Sequence, residues 1–167
     1  SDAEIRNISK NNEYTILILN QTPFYAESGG QIGDTGVICV DEHQLIVENT
    51  IYDTGSTIMH ICKGHIADDL LKNKVECIVD KNRRQAIRSN HTATHLLHSA
   101  LKTVLGDHVH QAGSLVSPDY LRFDLTHNNK INSSQLIKIE YLVNEEILHN
   151  TPLTVEVKSF ETAKKEG

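Results

Sequence analysis

The chain has 167 residues, a formal net charge of −6 and an apolar fraction of 38%. This length can bury one good hydrophobic core or two small ones. The composition is typical of a folded protein and excludes a disordered one. No apolar run reaches membrane-spanning length, so we expect no membrane partner. The negative charge argues against a large nucleic-acid-binding surface.

The sequence between Tyr14 and Asp80 has the features of β structure. Five short runs rich in Ile, Val and Thr are separated by turn clusters, and the runs cover residues 14–19, 36–40, 44–52, 57–62 and 74–79. Short strands with tight connections predict a small barrel or closed sheet. We expect the three widely spaced cysteines to be reduced thiols buried in these strands, which favours a cytoplasmic location.

The spacing of apolar residues changes to a helical period after Asp80, which can cap a helix, and Gly106 can end it. The apolar positions between them share one helical stripe: Ile87, Thr94, Leu97, Leu101 and Leu105. His91, His95 and His98 lie along the border of that stripe. We therefore expect these histidines at the edge of a buried surface, where a cleft can open.

A hairpin and a second helix are predicted after Gly106. The hairpin has strands at residues 113–116 and 120–125. The helix runs from about Ser134 to about Asn150, and its apolar face holds Leu136, Ile139, Val143 and Ile147. Alternation of apolar residues then predicts a final strand at 153–157.

These elements predict the α+β fold class and two subdomains. Residues 1–80 form a small β-barrel-like subdomain, and residues 81–167 form a two-layer α+β subdomain with helices on one face of an antiparallel sheet. That sheet has few strands, so we expect it to take more from elsewhere in the chain. The polar residues 161–167 bring no closing element, which suggests a segment cut from a larger protein.

The segment His91-Thr92-Ala93-Thr94-His95 carries the most specific chemistry. Residues four apart lie on the same face of a helix, so two imidazoles can share one metal ion, and imidazole is a common zinc ligand. A zinc peptidase would place a glutamate at the position of Thr92, which disfavours that class. His98 could substitute as a ligand, although a packed or solvent-facing role is simpler. We expect His108 and His110 in a loop.

Two segments resemble a known family. Residues 22–36, with the sequence TPFYAESGGQIGDTG, resemble the motif that opens the editing region of alanyl-tRNA synthetases. Residues 91–98, HTATHLLH, resemble the first zinc-binding motif of that family. The runs QAGSLV at 111–116, LRFD at 121–124 and VNE at 143–145 match in the same order. The resemblance covers the chain from about Thr22 onward.

The resemblance implies an aminoacyl-tRNA deacylase activity within an alanine–tRNA ligase. Its substrate would be the ester at the acceptor end of mischarged Ser-tRNA(Ala) or Gly-tRNA(Ala), and its partners would be tRNA(Ala) and the rest of the synthetase chain. The resemblance also implies zinc, bound by His91, His95 and a later Cys-Gly-Gly-Thr-His-like motif that this sequence lacks. Two of four ligands are then present, so this segment alone could be inactive.

The resemblance suggests roles for further residues. Gln111 matches a glutamine that lines the editing pocket and could orient a water or hold a substrate carbonyl, although a backbone hydrogen bond at the hairpin is an alternative. Thr22 matches a position that contacts the serine hydroxyl, although a strand-end threonine is equally reasonable. Gly29, Gly30 and Gln31 are expected in a substrate-facing loop, with a simple tight turn as the alternative.

Other functions remain open. A freestanding trans-editing deacylase shares the core motifs, although TPFYAESGGQ is closer to the synthetase version. The editing domain of a threonine-specific synthetase has a similar two-histidine helix but not the block at 22–36. A non-catalytic RNA-binding module is the third alternative. Such a module could bind RNA through a cluster of basic residues before the histidines: Lys81, Arg83, Arg84 and Arg88. The alternative interpretation of this cluster is a solvated helix face.

Overall fold

The computed structural model describes residues 3–10, 13–152, 154 and 156–166, and it contains two hydrophobic cores. The first core lies inside a closed barrel of six antiparallel strands in the order β1-β2-β5-β4-β3-β6. Pairing of Ala3 with Val75 closes the barrel. The strands are β1 (Ala3–Lys10), β2 (Tyr14–Leu19), β3 (Gly36–Val40), β4 (His43–Tyr52), β5 (Ile58–Lys63) and β6 (Lys74–Val79).

Alternation of side chains fills the barrel. On β3, Ile38 and Val40 are fully buried, and on β4 the buried Leu45 and Val47 flank the exposed Ile46. This is the two-residue period of a strand with one face in a core. The predicted barrel and α+β class are therefore confirmed. The strand β1 was not predicted, because its alternation of buried and exposed residues stops after Ile5 and the residues that follow are mostly polar.

The helix α1 (Lys81–Leu105) begins and ends where the sequence predicts. The Asp80 carboxylate accepts a hydrogen bond from the Arg83 backbone N–H at 3.0 Å, which caps the first turn. Gly106 follows the last turn with φ of +115°, a conformation that favours glycine. Ile87 and Leu101 on the predicted stripe are buried.

The second core lies between α1 and the elements that follow it. These are a two-stranded antiparallel sheet of β7 (Gln111–Val116) and β8 (Leu121–Leu125) and the helix α2 (Ser133–His149). A last short helix, α3 (Phe160–Glu166), has no buried residue and is not part of this core. The buried centre of the core consists of Ala100, Leu101, Val109 and Ile139. Asn132 and Gln135 form a reciprocal capping box at the start of α2.

Two details differ from the predictions, and a third prediction depends on residues outside the described ranges. The predicted apolar face of α2 is buried only at its centre, because Leu136 and Ile147 each remain 52% exposed. The helix α2 packs mainly against α1, which covers only the middle of that face. A short helix, α3, occupies most of the predicted polar tail. The predicted strand at 153–157 rests on Leu153 and Val155, which lie outside the described residues.

No helix in the described ranges combines the length and the apolar character needed to cross a membrane.

Candidate functional site

A cleft of about 190 Å³ lies where three segments of the chain meet. One wall is α1, the second is β7, and the third is the glycine loop, which we define as residues 22–35 between β2 and β3. The lining residues are Tyr25, Ser28, Gly29, Gln31, His91, Thr94, His95, Gln111, Ser114 and Val116.

The two histidines of α1 lie side by side at the cleft. The ring centroids of His91 and His95 are 5.3 Å apart and their planes are inclined by 26°. Both side chains are exposed, so a ligand or metal ion can reach their nitrogens. Thr94 between them is buried, and its hydroxyl donates to the Asn90 carbonyl oxygen at 2.9 Å.

The glycine loop pairs with β7 through a single isolated parallel bridge between Gln31 and Val116. The backbone N–H of Val116 donates to the Gly30 carbonyl at 2.8 Å, and the N–H of Ile32 donates to the Val116 carbonyl at 3.2 Å. Within the loop, Ser28 and Gln31 exchange two backbone hydrogen bonds around a tight turn. The sheet therefore takes additional pairing from the N-terminal part of the chain, as its small size suggested.

A buried carboxylate joins the glycine loop to α1. Asp34 is 2% exposed, and its Oδ2 accepts the Tyr25 N–H at 2.6 Å and pairs with the Arg84 guanidinium. Arg83 donates to the Gly33 carbonyl at 2.8 Å. Two residues of the predicted basic cluster therefore hold the loop in place, while Lys81 and Arg88 remain exposed.

The strand β7 contributes a polar pair to the cleft. The Gln111 side-chain Nε2 donates to Ser114 Oγ at 2.9 Å, and Ser114 Oγ donates to the Gly29 carbonyl at 3.4 Å. A hydrogen-bonded chain therefore runs from β7 to the glycine loop. Sequence reasoning missed Ser114, although it lies in the QAGSLV run that carries part of the family resemblance.

The structure brings most of the sequence-predicted site residues together. His91, His95, Gln111, Gly29 and Gln31 all line the cleft. Gly30 lies directly beside it, where its backbone packs against Ser114.

Thr22 lies away from the cleft lining. Its hydroxyl is 2.8 Å from Nε2 of His60 and accepts the Phe24 backbone N–H at 3.1 Å. His60 is fully buried in the barrel, and that burial lowers the pKa of its imidazole. The sequence analysis did not single out His60. Residues two apart on a strand face the same side, so its position two residues before the buried Cys62 on β5 predicts that it faces inward.

The cleft lining holds two imidazoles, fewer than the four ligands of a structural zinc site. His91 and His95 offer two nitrogen ligands, but no group of three His, Cys, Asp or Glu side chains is arranged to hold a metal ion within the described ranges. His98 packs against Phe123 with ring centroids 5.1 Å apart. A four-coordinate zinc would therefore need two more ligands.

The cysteines do not complete that shell. Cys39, Cys62 and Cys77 are free thiols on barrel strands, outside the cleft lining. Burial raises the pKa of Cys62 to about 12 and that of Cys77 to about 11. Because the thiolate is the metal-binding form, these protonated thiols are poor ligands.

Comparisons with known proteins identify the family. Residues 1–83 match the family described as tRNA synthetases class II (A). The chain is 44% identical over 158 residues to an alanine–tRNA ligase of Rhodopseudomonas palustris, covering 95% of the chain and 18% of that protein. It is 48% identical over 153 residues to the Thermotoga maritima ligase, covering 90% and 18%. It is 41% identical over 167 residues to the Wolbachia pipientis wMel ligase, covering 100% and 19%.

The chain thus spans about a fifth of the length of these relatives. Identity above 40% extends over nearly the whole chain, including the glycine loop, α1 and β7. Over this stretch the chain belongs to the alanyl-tRNA synthetase family.

Proposed function

We propose that the cleft is an editing site, which hydrolyses the ester linking wrongly attached serine or glycine to the acceptor end of tRNA(Ala). The chain would act as one part of a longer alanine–tRNA ligase in the cytoplasm, and its free, partly or fully buried thiols agree with a reducing compartment. The observation that carries the proposal is the convergence of the histidine pair, Gln111 and the glycine loop on one cleft.

The size and accessibility of the cleft agree with a substrate that is large but presents only a small reacting group to the site. Its volume of about 190 Å³ is below the roughly 300–1,000 Å³ of sites for drug-sized ligands. A seryl or glycyl group needs little space, and the rest of the tRNA would lie outside. Because His91, His95 and Gln111 are exposed, a macromolecular substrate can reach them.

Ester hydrolysis needs an oriented water and stabilisation of the developing oxyanion. The amide of Gln111 can accept and donate hydrogen bonds, so it can orient the water or the aminoacyl group. The Thr94 hydroxyl already donates to a backbone carbonyl, and the Tyr25 hydroxyl donates to the Ser28 carbonyl at 3.1 Å. The amide of Gln111 also donates to Ser114, but it keeps a second N–H and its oxygen, so of these three groups it alone can still both donate and accept, and we assign it to the substrate.

We further propose that His91 and His95 bind zinc together with two ligands from outside the described residues. A zinc ion at such a site would polarise the ester carbonyl or acidify a bound water. The exposed, neighbouring rings of His91 and His95 support this assignment.

The test is His91→Ala in the full-length protein. We expect deacylation of Ser-tRNA(Ala) to fall by about 100-fold or more and zinc content to drop, because even outer-shell changes cost roughly 10–100-fold. Attachment of alanine to tRNA(Ala) should be unchanged. The control is His108→Ala, which removes a histidine outside the cleft that contacts His127. Wild-type rates and zinc content in the His91 variant would refute the assignment.

A non-catalytic RNA-binding module is the second candidate, and the structure weakens its basis because Arg83 and Arg84 are engaged by the glycine loop. The same assay distinguishes the two functions. A zinc-loaded, ligation-competent full-length protein that fails to deacylate Ser-tRNA(Ala) would favour the binding module. If the natural protein deacylates Ser-tRNA(Ala) but cannot attach alanine to tRNA(Ala), a freestanding deacylase would be favoured.

A further inference from the structure

The contact between Gln111 and Ser114 determines which end of the Gln111 amide is available to a ligand. A primary amide has one acceptor oxygen and one donor nitrogen, and the two ends differ in what they can bind. Ser114 lies between the amide and the Gly29 carbonyl, at 2.9 Å from Gln111 Nε2 and 3.4 Å from Gly29 O.

The donors and acceptors in this series of hydrogen bonds, from Gln111 through Ser114 to Gly29, follow from the chemistry of the groups. A backbone carbonyl can only accept, so the Ser114 hydroxyl is the donor in its 3.4 Å contact with the Gly29 carbonyl oxygen. Ser114 Oγ can then only accept from Gln111. The group of Gln111 that faces Ser114 is therefore the NH2 group, and the Oε1 oxygen, on the other side of the amide, accepts no hydrogen bond from the described residues.

We infer that Ser114 is a positioning residue that fixes the polarity of Gln111 and presents Oε1 to the cleft as a hydrogen-bond acceptor. This inference rests on the proposed editing function. Gln111 would then bind groups that donate hydrogen bonds, namely the ammonium group of the aminoacyl ester, a serine hydroxyl or the attacking water. Its Oε1 would hold a donor in the cleft, and this role does not use the second proton of Nε2, which Ser114 leaves unbound.

The glycine loop is shaped to allow this contact. A Cβ atom added at Gly30 would lie 2.5 Å from Ser114 Oγ and 2.4 Å from the Ser114 carbonyl oxygen. Both distances are far shorter than a van der Waals contact, so a side chain at position 30 would displace Ser114 from Gln111. The contact between Gln111 and Ser114 therefore needs both the Ser114 hydroxyl and a glycine at position 30.

The first test is a double-mutant cycle on deacylation of Ser-tRNA(Ala) by the full-length protein. Ser114→Ala should lower kcat/KM by about twofold to tenfold, the loss expected for one neutral hydrogen bond. In the Gln111→Ala background the same change should have no further effect, because Ser114 acts through Gln111. Ser89→Ala, an exposed serine on α1 outside the cleft, should match the wild type. Equal losses in both backgrounds would overturn the inference.

The second test does not depend on activity. In the 15N-labelled 167-residue chain, the side-chain NH2 signals of Gln111, assigned by their loss in Gln111→Ala, should shift in Ser114→Ala and stay unchanged in Ser89→Ala. Unshifted signals in Ser114→Ala would overturn the positioning role. A full-length wild-type protein without deacylase activity, together with shifted signals, would refute the proposed function and leave the amide orientation standing.

Discussion

The protonation state of His60 follows from its neighbours. Its Nδ1 is 3.0 Å from the Leu17 carbonyl oxygen, which can only accept, so Nδ1 carries the proton. Nε2 is then the acceptor for the Thr22 hydroxyl at 2.8 Å. Thr22 therefore donates its one proton inside the barrel, and this contact ties the start of the glycine loop to β5.

The pH dependence of stability provides a test of the neutral His60. Burial lowers the pKa of His60 in the folded state, so below about pH 6.5 the unfolded chain binds a proton that the folded chain does not. The stabilising contribution is therefore present above that pH and is lost as pH falls.

We expect the free energy of unfolding, measured by urea denaturation, to fall less between pH 7.5 and 5.5 in His60→Gln than in the wild type. Glutamine can still donate to Leu17 and accept from Thr22, so the variant should fold. An identical fall in both proteins would contradict a neutral, buried His60.

At the scale of secondary-structure elements, the fit between the glycine loop and β7 depends on close backbone approach. Gly29 and Gly30 both have positive φ, at +59° and +84°. A Cβ atom at Gly29 would meet nothing within 4 Å, whereas one at Gly30 would collide with Ser114. The two positions therefore share the backbone requirement and differ only in available space.

Substitution of these two glycines distinguishes the energetic cost of backbone strain from the cost of a packing collision. Gly29→Ala should lower the free energy of unfolding by about 1–2 kcal/mol, the cost of the left-handed conformation for a residue with a Cβ. Gly30→Ala should cost a further 1–3 kcal/mol or so because of the collision. Urea denaturation of both variants measures the difference. Equal losses would mean that β7 does not pack against the loop as described.

At the scale of the whole molecule, the Asp34–Arg84 pair connects the barrel to α1. Asp34 belongs to the loop that leaves the barrel, and Arg84 lies on the first turn of α1, with 34% of its side chain exposed. Breaking a buried ion pair is costly because it leaves a charge without its partner. The pair therefore contributes to stability and to the position of the cleft walls.

Arg84→Gln tests this connection. We expect the free energy of unfolding to drop by about 3 kcal/mol, at the low end of the range for buried pairs because Arg84 is partly solvated. The matched control is Arg122→Gln, which removes the partner of Asp124 in an exposed pair at 3.0 Å and should cost no more than about 1 kcal/mol. Similar losses in the two variants, measured by urea denaturation, would contradict a buried linkage.

Local sequence patterns predict much of the fold, because they report directly on which residues need burial. The alternation in β3 and the helical stripe of α1 predict those elements, and Asp80 and Gly106 predict the bounds of the helix. The first strand escaped detection because its alternation stops after Ile5, where the pairing register shifts. The apolar face of α2 could be predicted, but not how much of it α1 would cover.

The sequence by itself determined that His91 and His95 share one face of α1, because helical geometry follows from spacing. Through the family resemblance, the sequence also predicted that Gln111, Gly29 and Gln31 are site residues. Only the tertiary structure decided that these residues meet at one cleft, that Ser114 orients Gln111, and that Thr22 donates to the buried His60. Such contacts join residues far apart in the chain, and their formation depends on how the barrel, the glycine loop and α1 pack together, which no local pattern encodes.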